Sequence, residues 1–284
     1  MPAQPPTLPP VTADQEIHPD SYRYLQDYVY RESGIVLDGD KHYLLQARLM
    51  PIVRQRQLGS LNDLCALLQA TADAPLKQQV VEAMTTNETF FFRDTAQYDA
   101  LKSVVLPELI QQHQDTRKLS FWSAAASSGQ EAYSLAMMLL EMGLGDWNIQ
   151  ILGTDLSTQV LERARAGKYM QIEVNRGLPA AYLVKYFTRA GLDWQLKDHV
   201  RRMVRFETID LRASLRTRGP FDIVFCRNVL IYFDIESKKK ILSELRGTLF
   251  RGGYLLLGGS ETTLNLDDQF DRRIFGQAVF YQAP

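Results

Sequence analysis

Two acidic side chains, Glu131 and Asp155, occupy positions from which they could bind a nucleoside that carries a positive charge. Glu131 lies in the first turn of a predicted helix over residues 130–142, and Asp155 follows a predicted strand over residues 149–152. The loop over residues 123–129 has almost no side-chain bulk, so another molecule could lie against its backbone. The helix N-terminus would face a carboxylate, Glu131 an ammonium group and Asp155 the hydroxyls of a ribose.

S-adenosylmethionine fits these groups better than a dinucleotide does. A dinucleotide fold needs the pattern G-x-G-x-x-G so that the backbone can close on a pyrophosphate, and this loop offers only Gly129. S-adenosylmethionine has adenosine at one end and a compact amino acid at the other, which matches the groups on offer. The alternative interpretation is a plain βαβ crossover in which Asp155 acts as a helix cap before Ser157.

Two other stretches carry side chains suited to hold a carboxylate. Arg93 follows three phenylalanines in NETFFFRD, and its fork-shaped, permanently charged group is a good carboxylate donor. The phenylalanines themselves are expected to form a hydrophobic hinge between two domains. Arg227, Asn228 and Tyr232 follow the apolar run DIVFC, which is typical of a central parallel strand. Ligands of parallel sheets bind beyond the carboxyl ends of the strands, so we expect chemistry at these residues.

The order of strands and helices predicts the fold that positions these residues. Over residues 118–284, apolar strands alternate with helices, and two short strands close the chain as a hairpin. We therefore expect an α/β fold with a doubly wound, mostly parallel, Rossmann-like class I methyltransferase sheet and a terminal antiparallel hairpin. A small antiparallel β-subdomain is expected as an insertion at about residues 186–206, where the alternation is interrupted.

The chain before this sheet divides into three segments. Residues 1–15 are rich in proline, which forms neither helix nor ladder, so we expect a disordered tail. Residues 16–86 show helical spacing and predict an all-helical N-terminal domain, followed by a linker and helix over residues 87–117. Basic side chains on the second helix, predicted over residues 40–57, could dock an acidic partner or simply form a solvated face; they are Lys41, Arg48, Arg54 and Arg56.

Composition narrows the classes of function. The chain has 284 residues, of which 45% are hydrophobic, and a net charge of −1, which predicts a globular protein without a nucleic-acid partner. The sequence has no apolar run of membrane-spanning length and no signal-peptide pattern, so we expect a cytoplasmic protein. Cys65 and Cys226 lack metal-ligand spacing, so we expect reduced structural thiols and no metal.

Several motifs together resemble one protein family. They are TNETFFFRD, FWSAAASSGQEAYSLA, LGTDLS, VRFETIDL and FDIVFCRNVLIYFD, and the similarity covers nearly everything after the tail. The chain resembles the bacterial chemoreceptor protein-glutamate O-methyltransferase (CheR-type) family. The resemblance implies methylation of glutamates on cytoplasmic helices of chemoreceptors for chemotactic adaptation, with S-adenosylhomocysteine as the second product. It also implies a C-terminal receptor peptide as a partner of the β-subdomain, and we expect a monomer.

The resemblance assigns roles to individual residues. Arg93 and Tyr232 match the residues beside the transferred methyl group. The positions that match cofactor contacts are Asn87, Thr89, Arg93, Glu131, Asp155, Asp210, Leu211, Arg227 and Asn228. The chain has Gln130 and Ala132 where the family usually has glutamate and proline, but it keeps Glu131 between them. The turn of the β-subdomain is also shorter than in family members that grip a receptor peptide.

The implied reaction needs no general base. A glutamate side chain is ionised at neutral pH, so the enzyme has only to hold its oxygen in line with the methyl carbon and the sulfur. Two other functions stay open: a small-molecule O-methyltransferase, and a non-catalytic adaptor that binds S-adenosylmethionine as a sensor. A nucleic-acid methyltransferase is disfavoured, because the sequence has neither a basic surplus nor a D/N/S-P-P-Y/F motif.

Overall fold

The computed structural model describes residues 17–37, 39 and 41–284. The disordered tail expected over residues 1–15 lies outside the described residues. Contacts between residues divide the chain into two compact units, the first ending at Thr85 and the second beginning at Thr86. Each unit has its own secondary structure and its own buried hydrophobic residues.

The first unit is built of helices, as the sequence predicts. They are α1 (Pro19–Ser33), α2 (His42–Gln55), α3 (Leu61–Ala70) and α4 (Ala74–Met84). Gly34 ends α1 in a left-handed conformation with φ of 75°. The side chains of Ser60 and Asp73 cap α3 and α4 by accepting the N–H groups of Asp63 and Leu76. Leucines and valines on the inner helix faces are buried and form the core of this unit.

Helix α2 differs from its prediction in one respect. Of the break or kink that the sequence indicates at Pro51, the structure excludes the break, because the helix continues to Gln55 with Pro51 inside it. The carbonyl that loses its helical partner is that of Ala47, and both Ala47 and Pro51 are exposed, so water can bind it. The next two residues, Ile52 and Val53, are buried, and their burial keeps the helix against the core.

The second unit contains a seven-stranded sheet, which confirms the predicted α/β fold with its terminal hairpin. Its strands, together with those of a smaller sheet, are β1 (Lys118–Ser123), β2 (Asn148–Asp155), β3 (Lys168–Met170), β4 (Phe187–Ala190), β5 (Asp193–Leu196), β6 (Val204–Thr208), β7 (Phe221–Cys226), β8 (Leu249–Leu257), β9 (Asp271–Phe275) and β10 (Ala278–Gln282). The large sheet has the order β6-β2-β1-β7-β8-β10-β9. Strand β10 is antiparallel to both neighbours, and the other pairs are parallel.

Helices pack on both faces of the large sheet. The helices of the second unit are α5 (Thr95–Ala100), α6 (Leu106–Gln112), α7 (Gln130–Glu141), α8 (Thr158–Ala166), α9 (Gln171–Asn175), α10 (Ala180–Tyr186), α11 (Asp198–Arg201) and α12 (Ile235–Arg246), with a π-helical turn, Leu101–Val105, between α5 and α6. Of these, α9 and α10 contact the small sheet. Phe121 and Ile223 pack on the side of α7, whereas Trp122 and Val224 pack on the side of α12. Burial on both faces explains why β7 is a continuous apolar run.

The direction in which strands are added reverses beside β1. From β1 the chain adds β2 and β6 on one side, then returns to add β7 and β8 on the other side. The carboxyl ends of these five parallel strands share one edge of the sheet. Ligands of open α/β sheets bind in the crevice at such a reversal, so the strand ends of β1, β2 and β7 define the candidate site.

The β-subdomain is confirmed as a small antiparallel sheet, but it begins earlier than the sequence indicates. Its strands have the order β3-β5-β4 and lie within residues 168–196, not 186–206. Strand β3 has three residues and follows Gly167, which ends α8, so its pattern is too short to reveal a strand. Residues 198–206 instead form α11 and the first part of β6 in the large sheet.

Candidate active site

The loop between β1 and α7 is tied to both neighbouring strands. The N–H of Ala124 donates to the carbonyl of Phe225 in β7 (2.7 Å), and the N–H of Ala126 donates to that of Thr154 in β2 (2.8 Å). Gly129 ends the loop with φ of 93°, and a Cβ atom there would stand 3.0 Å from a ring carbon of Tyr133. The one glycine of this loop therefore permits the close packing of α7.

Asp155 lies at the carboxyl end of β2 and joins two loops. Its Oδ2 accepts the N–H of Ser127 (2.9 Å), and its Oδ1 accepts the N–H of Ser157 (3.0 Å). The N-cap of α8 is Ser157, whose Oγ accepts the N–H of Val160. The carboxylate of Asp155 thus faces the loop of small residues, beside the reversal in strand order.

A buried arginine, Arg227, is the centre of the charge network in the cleft. Its side chain is 2% exposed, and its Nη1 donates to Glu131 Oε2 (2.8 Å). Its Nη2 donates to Asp94 Oδ2 (2.6 Å) and to the backbone carbonyl of Arg93 (2.7 Å). The Oγ of Ser123 donates to the other carboxylate oxygen of Glu131 (2.7 Å). Burial alone would lower the pKa of Arg227, but the nearby charges, chiefly Glu131, outweigh it and raise the pKa, so the guanidinium stays charged.

The backbone on both sides of Arg93 is strained. Phe92 has φ of 50° and Asp94 has φ of 61°, left-handed conformations that are uncommon for residues other than glycine. Arg227 holds the carbonyl of Arg93, and Ser134 Oγ accepts the N–H of Phe92 (2.9 Å). Such strain persists only where the surroundings fix it, and it concentrates at functional sites.

The three phenylalanines before Arg93 have different environments. The second and third are buried in the core of the second unit, although the sequence suggested a hinge between domains. Phe90 is only partly buried, and its ring lies 4.2 Å from the guanidinium of Arg176 and 5.4 Å from that of Arg93. Arg93 also donates to the backbone carbonyl of Glu88 (3.1 Å), while Arg176 pairs with the Glu88 carboxylate (2.6 Å).

The loop after β7 carries Arg227, Asn228 and Tyr232, as the sequence predicts. Asn228 has φ of 57°, and Tyr232 ends a 3₁₀ turn, Leu230–Tyr232, with its side chain partly buried. The carboxylate of Glu261, from the loop after β8, accepts N–H groups of this loop. Glu261 was not expected at the site, although it follows the carboxyl end of a parallel strand, the same signal that identified the acid after β2.

The remaining predicted contact residues fall into two groups. The carbonyl of Asn87 accepts a serine hydroxyl of the small-residue loop (2.8 Å), and Thr89 is partly buried two residues later. Asp210 and Leu211 follow β6, on the far side of β2; Leu211 is buried and Asp210 pairs with Arg212 (2.6 Å). Hydrogen bonds link Asn87, Asp155 and Arg227 to the small-residue loop and its helix, which carries Glu131, and Arg227 in turn holds the backbone of Arg93.

Two of the four basic residues expected at a docking surface are engaged within the first unit. Arg48 donates to two backbone carbonyls at the end of α4 (2.5 and 2.9 Å), where a positive charge complements the helix. Arg56 pairs with Asp73 (3.1 Å), the N-cap of α4. Arg54 is exposed, and Lys41 precedes α2 with its side chain partly buried.

Both units match models of one protein family. Residues 87–277 match the SAM-binding domain of CheR methyltransferases, and residues 20–85 match their all-alpha domain. The chain belongs to the CheR methyltransferase family. It is 43% identical over 262 residues to chemotaxis protein methyltransferase 1 of Pseudomonas aeruginosa, covering 90% of this chain and 95% of that protein. It is 41% identical over 262 residues to a chemotaxis protein methyltransferase of Pseudomonas putida, with the same coverage of 90% and 95%. A chemotaxis protein methyltransferase of Vibrio parahaemolyticus is 41% identical over 276 residues, which cover 95% of this chain and 97% of that protein.

The cleft of this CheR family member fits S-adenosylmethionine. Among the described residues, two buried polar atoms at the end of β7 have no hydrogen-bond partner, Nε of Arg227 and Oδ1 of Asn228. Buried polar groups without partners are costly, and a cofactor bound at the end of β7 would be placed to supply partners for these two. The carboxylates of Glu131 and Asp155 suit the ammonium group and the ribose hydroxyls of this cofactor. The chain is an S-adenosylmethionine-dependent methyltransferase.

The rest of the described chain adds three observations. Within residues 17–37, 39 and 41–284, no group of three or more histidine, cysteine, aspartate or glutamate side chains is placed to hold a metal ion. No helix in that part of the chain is both long and apolar enough to span a bilayer. Both cysteines are buried free thiols, and burial raises the pKa of Cys65 to about 11.

Proposed function

We propose that this methyltransferase esterifies glutamate side chains on the cytoplasmic helices of chemoreceptors, with S-adenosylhomocysteine as the other product. The observation that carries the proposal is the position of Arg227, which binds Glu131 in the cofactor cleft and the backbone of Arg93 beside it. The relatives are named chemotaxis protein methyltransferases, which supports a receptor substrate. Because the acceptor helices are cytoplasmic, the protein is proposed to act in the cytoplasm, as a monomer.

The proposed reaction depends on positioning. S-adenosylmethionine, when bound, supplies a methyl group that a nucleophile can attack directly. The acceptor glutamate is ionised at neutral pH, so no side chain of the protein has to remove a proton from it. Arg93 and the hydroxyl of Tyr232 are proposed to orient the incoming carboxylate, and such alignment can supply roughly 7–11 kcal/mol.

The charge of the acceptor sets a limit on how Arg93 acts. The carboxylate loses its negative charge as the ester forms, so an arginine that binds it tightly would stabilise the reactants more than the transition state. Arg93 is already bound to the backbone carbonyl of Glu88 and lies over Phe90. These contacts moderate its interaction with the substrate, and Tyr232 supplies a neutral donor instead of a second charge.

The helical unit is the proposed docking domain for the receptor. A receptor helix with several glutamates is acidic, so exposed cationic groups such as Arg54, together with Lys41, would attract it. A C-terminal receptor peptide is proposed as a partner of the β-subdomain. Strand β4 is an edge strand of that small sheet, and a peptide could extend the sheet beside it.

The test uses S-adenosylmethionine labelled in its methyl group and membranes that contain chemoreceptors. A glutamate methyl ester releases volatile methanol in alkali, whereas an N-methyl group does not. We expect the wild-type chain to place alkali-labile label on receptors. The variants Arg93→Ala and Tyr232→Phe should lose about 100-fold in rate, because a reacting group that is misplaced by about 1 Å can cost that much.

Two results would reject this function in favour of the alternatives. Label that appears only in small molecules would indicate a small-molecule O-methyltransferase. S-adenosylhomocysteine binding by calorimetry without any transfer would indicate a non-catalytic sensor. Binding that persists in Tyr232→Phe while esterification is lost would assign that residue to the transfer step.

A further inference from the structure

One carboxylate, that of Glu261, accepts four backbone N–H groups at the edge of the cleft. Its Oε2 accepts those of Asn228 (2.7 Å) and Gly258 (2.7 Å), and its Oε1 accepts those of Val229 (3.0 Å) and Ile231 (3.3 Å). Charge-assisted hydrogen bonds of this kind are about twice as strong as neutral ones. Glu261 therefore fixes the ends of two neighbouring strands, β7 and β8, to each other.

Three of the four donors belong to the loop that carries the proposed reactive groups. This loop leaves β7, where its N–H groups lose their strand partners, and leads to Tyr232 within four residues of Asn228. Asn228 has the left-handed φ of 57°, a conformation that must be held by its surroundings. The carboxylate replaces the missing strand partners and so selects this conformation over extended ones.

Glu261 is also constrained by the residues at the end of β8. A Cβ atom at Gly258 would stand 2.5 Å from Nδ2 of Asn228 and 2.8 Å from Oε2 of Glu261, so these groups are in close contact. The end of β8 is held by Gln97, whose Nε2 donates to the carbonyl of Leu257 (2.8 Å). Glu261 is thus attached to a fixed strand end and transfers that rigidity to the loop after β7.

We propose that Glu261 is a positioning residue for methyl transfer. It acts through the backbone of residues 228–231, and it sets the place of the Asn228 amide in the cofactor cleft and of the Tyr232 phenol beside the acceptor. The part of this inference that concerns Tyr232 rests on the proposed function. The part that concerns Asn228 rests only on S-adenosylmethionine binding.

The test compares three variants of the full chain. Glu261→Gln keeps the shape but places an amide donor among four N–H donors, and Glu261→Asp keeps the charge on a shorter stem. Glu244→Gln is the matched control, because Glu244 also accepts a backbone N–H, that of Leu215 (2.9 Å), which lies four residues beyond the last predicted cofactor contact in the loop after β6. The readouts are kcat, KM, the Kd of S-adenosylhomocysteine, the Tm and the ¹⁹F NMR signal of 3-fluorotyrosine at position 232.

We expect Glu261→Gln to lower kcat by about 10- to 100-fold, the loss typical of a misplaced reactive group. The Kd of S-adenosylhomocysteine should rise and the ¹⁹F signal should shift or broaden, while Glu261→Asp should recover part of each change. Glu244→Gln should leave kcat, Kd and the ¹⁹F signal as in the wild type. Equal effects of Glu261→Gln and Glu244→Gln on all readouts would overturn the inference, since both would then be ordinary structural hydrogen bonds.

Gly258→Ala keeps the inference testable if Glu261→Gln does not fold. The added methyl group would meet both the Asn228 amide and the Glu261 carboxylate, which keeps its charge, so it should displace this contact and give the same ¹⁹F change and loss of affinity. An unchanged ¹⁹F signal in a folded Gly258→Ala chain would contradict the inference. If the wild-type chain fails to esterify receptors, the proposed function is wrong, but the Kd and the ¹⁹F signal still decide the role of Glu261.

Discussion

Replacing Arg227 with methionine should weaken both the second unit and its affinity for S-adenosylhomocysteine. The side chain is 2% exposed and donates to Glu131, Asp94 and the carbonyl of Arg93. Methionine has a similar length but no charge, so the Glu131 carboxylate, only 12% exposed, loses its cation. Removing one partner of a buried ion pair costs about 3–5 kcal/mol of unfolding free energy. Asp94 is 44% exposed, so water can replace its contact with Arg227. We therefore expect a loss at the lower end of this range, about 3 kcal/mol of unfolding free energy.

Urea unfolding measures this loss, and a second variant separates charge from function. The matched control is Arg163→Met, which breaks a pair with Glu173 in which the arginine is 52% exposed, so it should cost no more than about 1 kcal/mol. The double variant Arg227→Met with Glu131→Gln removes both charges of the buried pair. It should regain part of the stability, because no carboxylate of that pair is left uncompensated, while the affinity for S-adenosylhomocysteine stays low.

Two results would refute this reasoning. If Arg227→Met lost less than about 1 kcal/mol of unfolding free energy, as the control should, the charge network would not hold the cleft together. Recovery of affinity along with stability in the double variant would mean that Glu131 does not bind the ligand. The measurement of affinity by calorimetry requires no receptor, so either result stands whatever the acceptor proves to be.

Three further predictions concern other parts of the chain. Gly129→Ala should destabilise the second unit by about 1–3 kcal/mol in urea unfolding, because φ of 93° is strained for alanine; an unchanged midpoint would contradict this. Burial raises the pKa of Cys65 from the ordinary 9.0 to about 11, so its contribution to stability is complete below pH 9 and is lost as the pH rises to about 11. Cys65→Ala should remove this part of the alkaline decline, which parallel unfolding curves at pH 8 and pH 10.5 would detect. Arg54→Glu should raise the KM for receptor and leave the Kd of S-adenosylhomocysteine alone; equal changes in both would argue against docking by α2.

The sequence predicts those parts of the molecule that depend on local patterns. The alternation of strands and helices gives the doubly wound sheet, and the acid after β2 and the polar residues after β7 lie at strand ends as expected. Contacts between residues that lie far apart in the chain cannot be predicted from such patterns. Arg48 is bound at the end of α4, 36 residues away, and Glu261 binds a loop about 30 residues earlier in the chain. Neither partner can be inferred from spacing along one helix or strand.

The strongest interactions of the cleft are made by residues that hold the backbone in place, and not by the side chains that are proposed to contact the substrate. Arg227 and Glu261 carry buried or backbone-bound charges, and they hold the backbones of Arg93 and of the loop that leads to Tyr232. The guanidinium of Arg93, in contrast, donates to a neutral carbonyl and lies over an aromatic ring. The proposed esterification, which neutralises its acceptor, would benefit from this division, because rigid backbones align the reacting atoms while weakly held side chains avoid over-stabilising the ionised acceptor. Substitutions of Arg227 or Glu261 should therefore lower kcat and cofactor affinity together, whereas Tyr232→Phe should lower kcat alone.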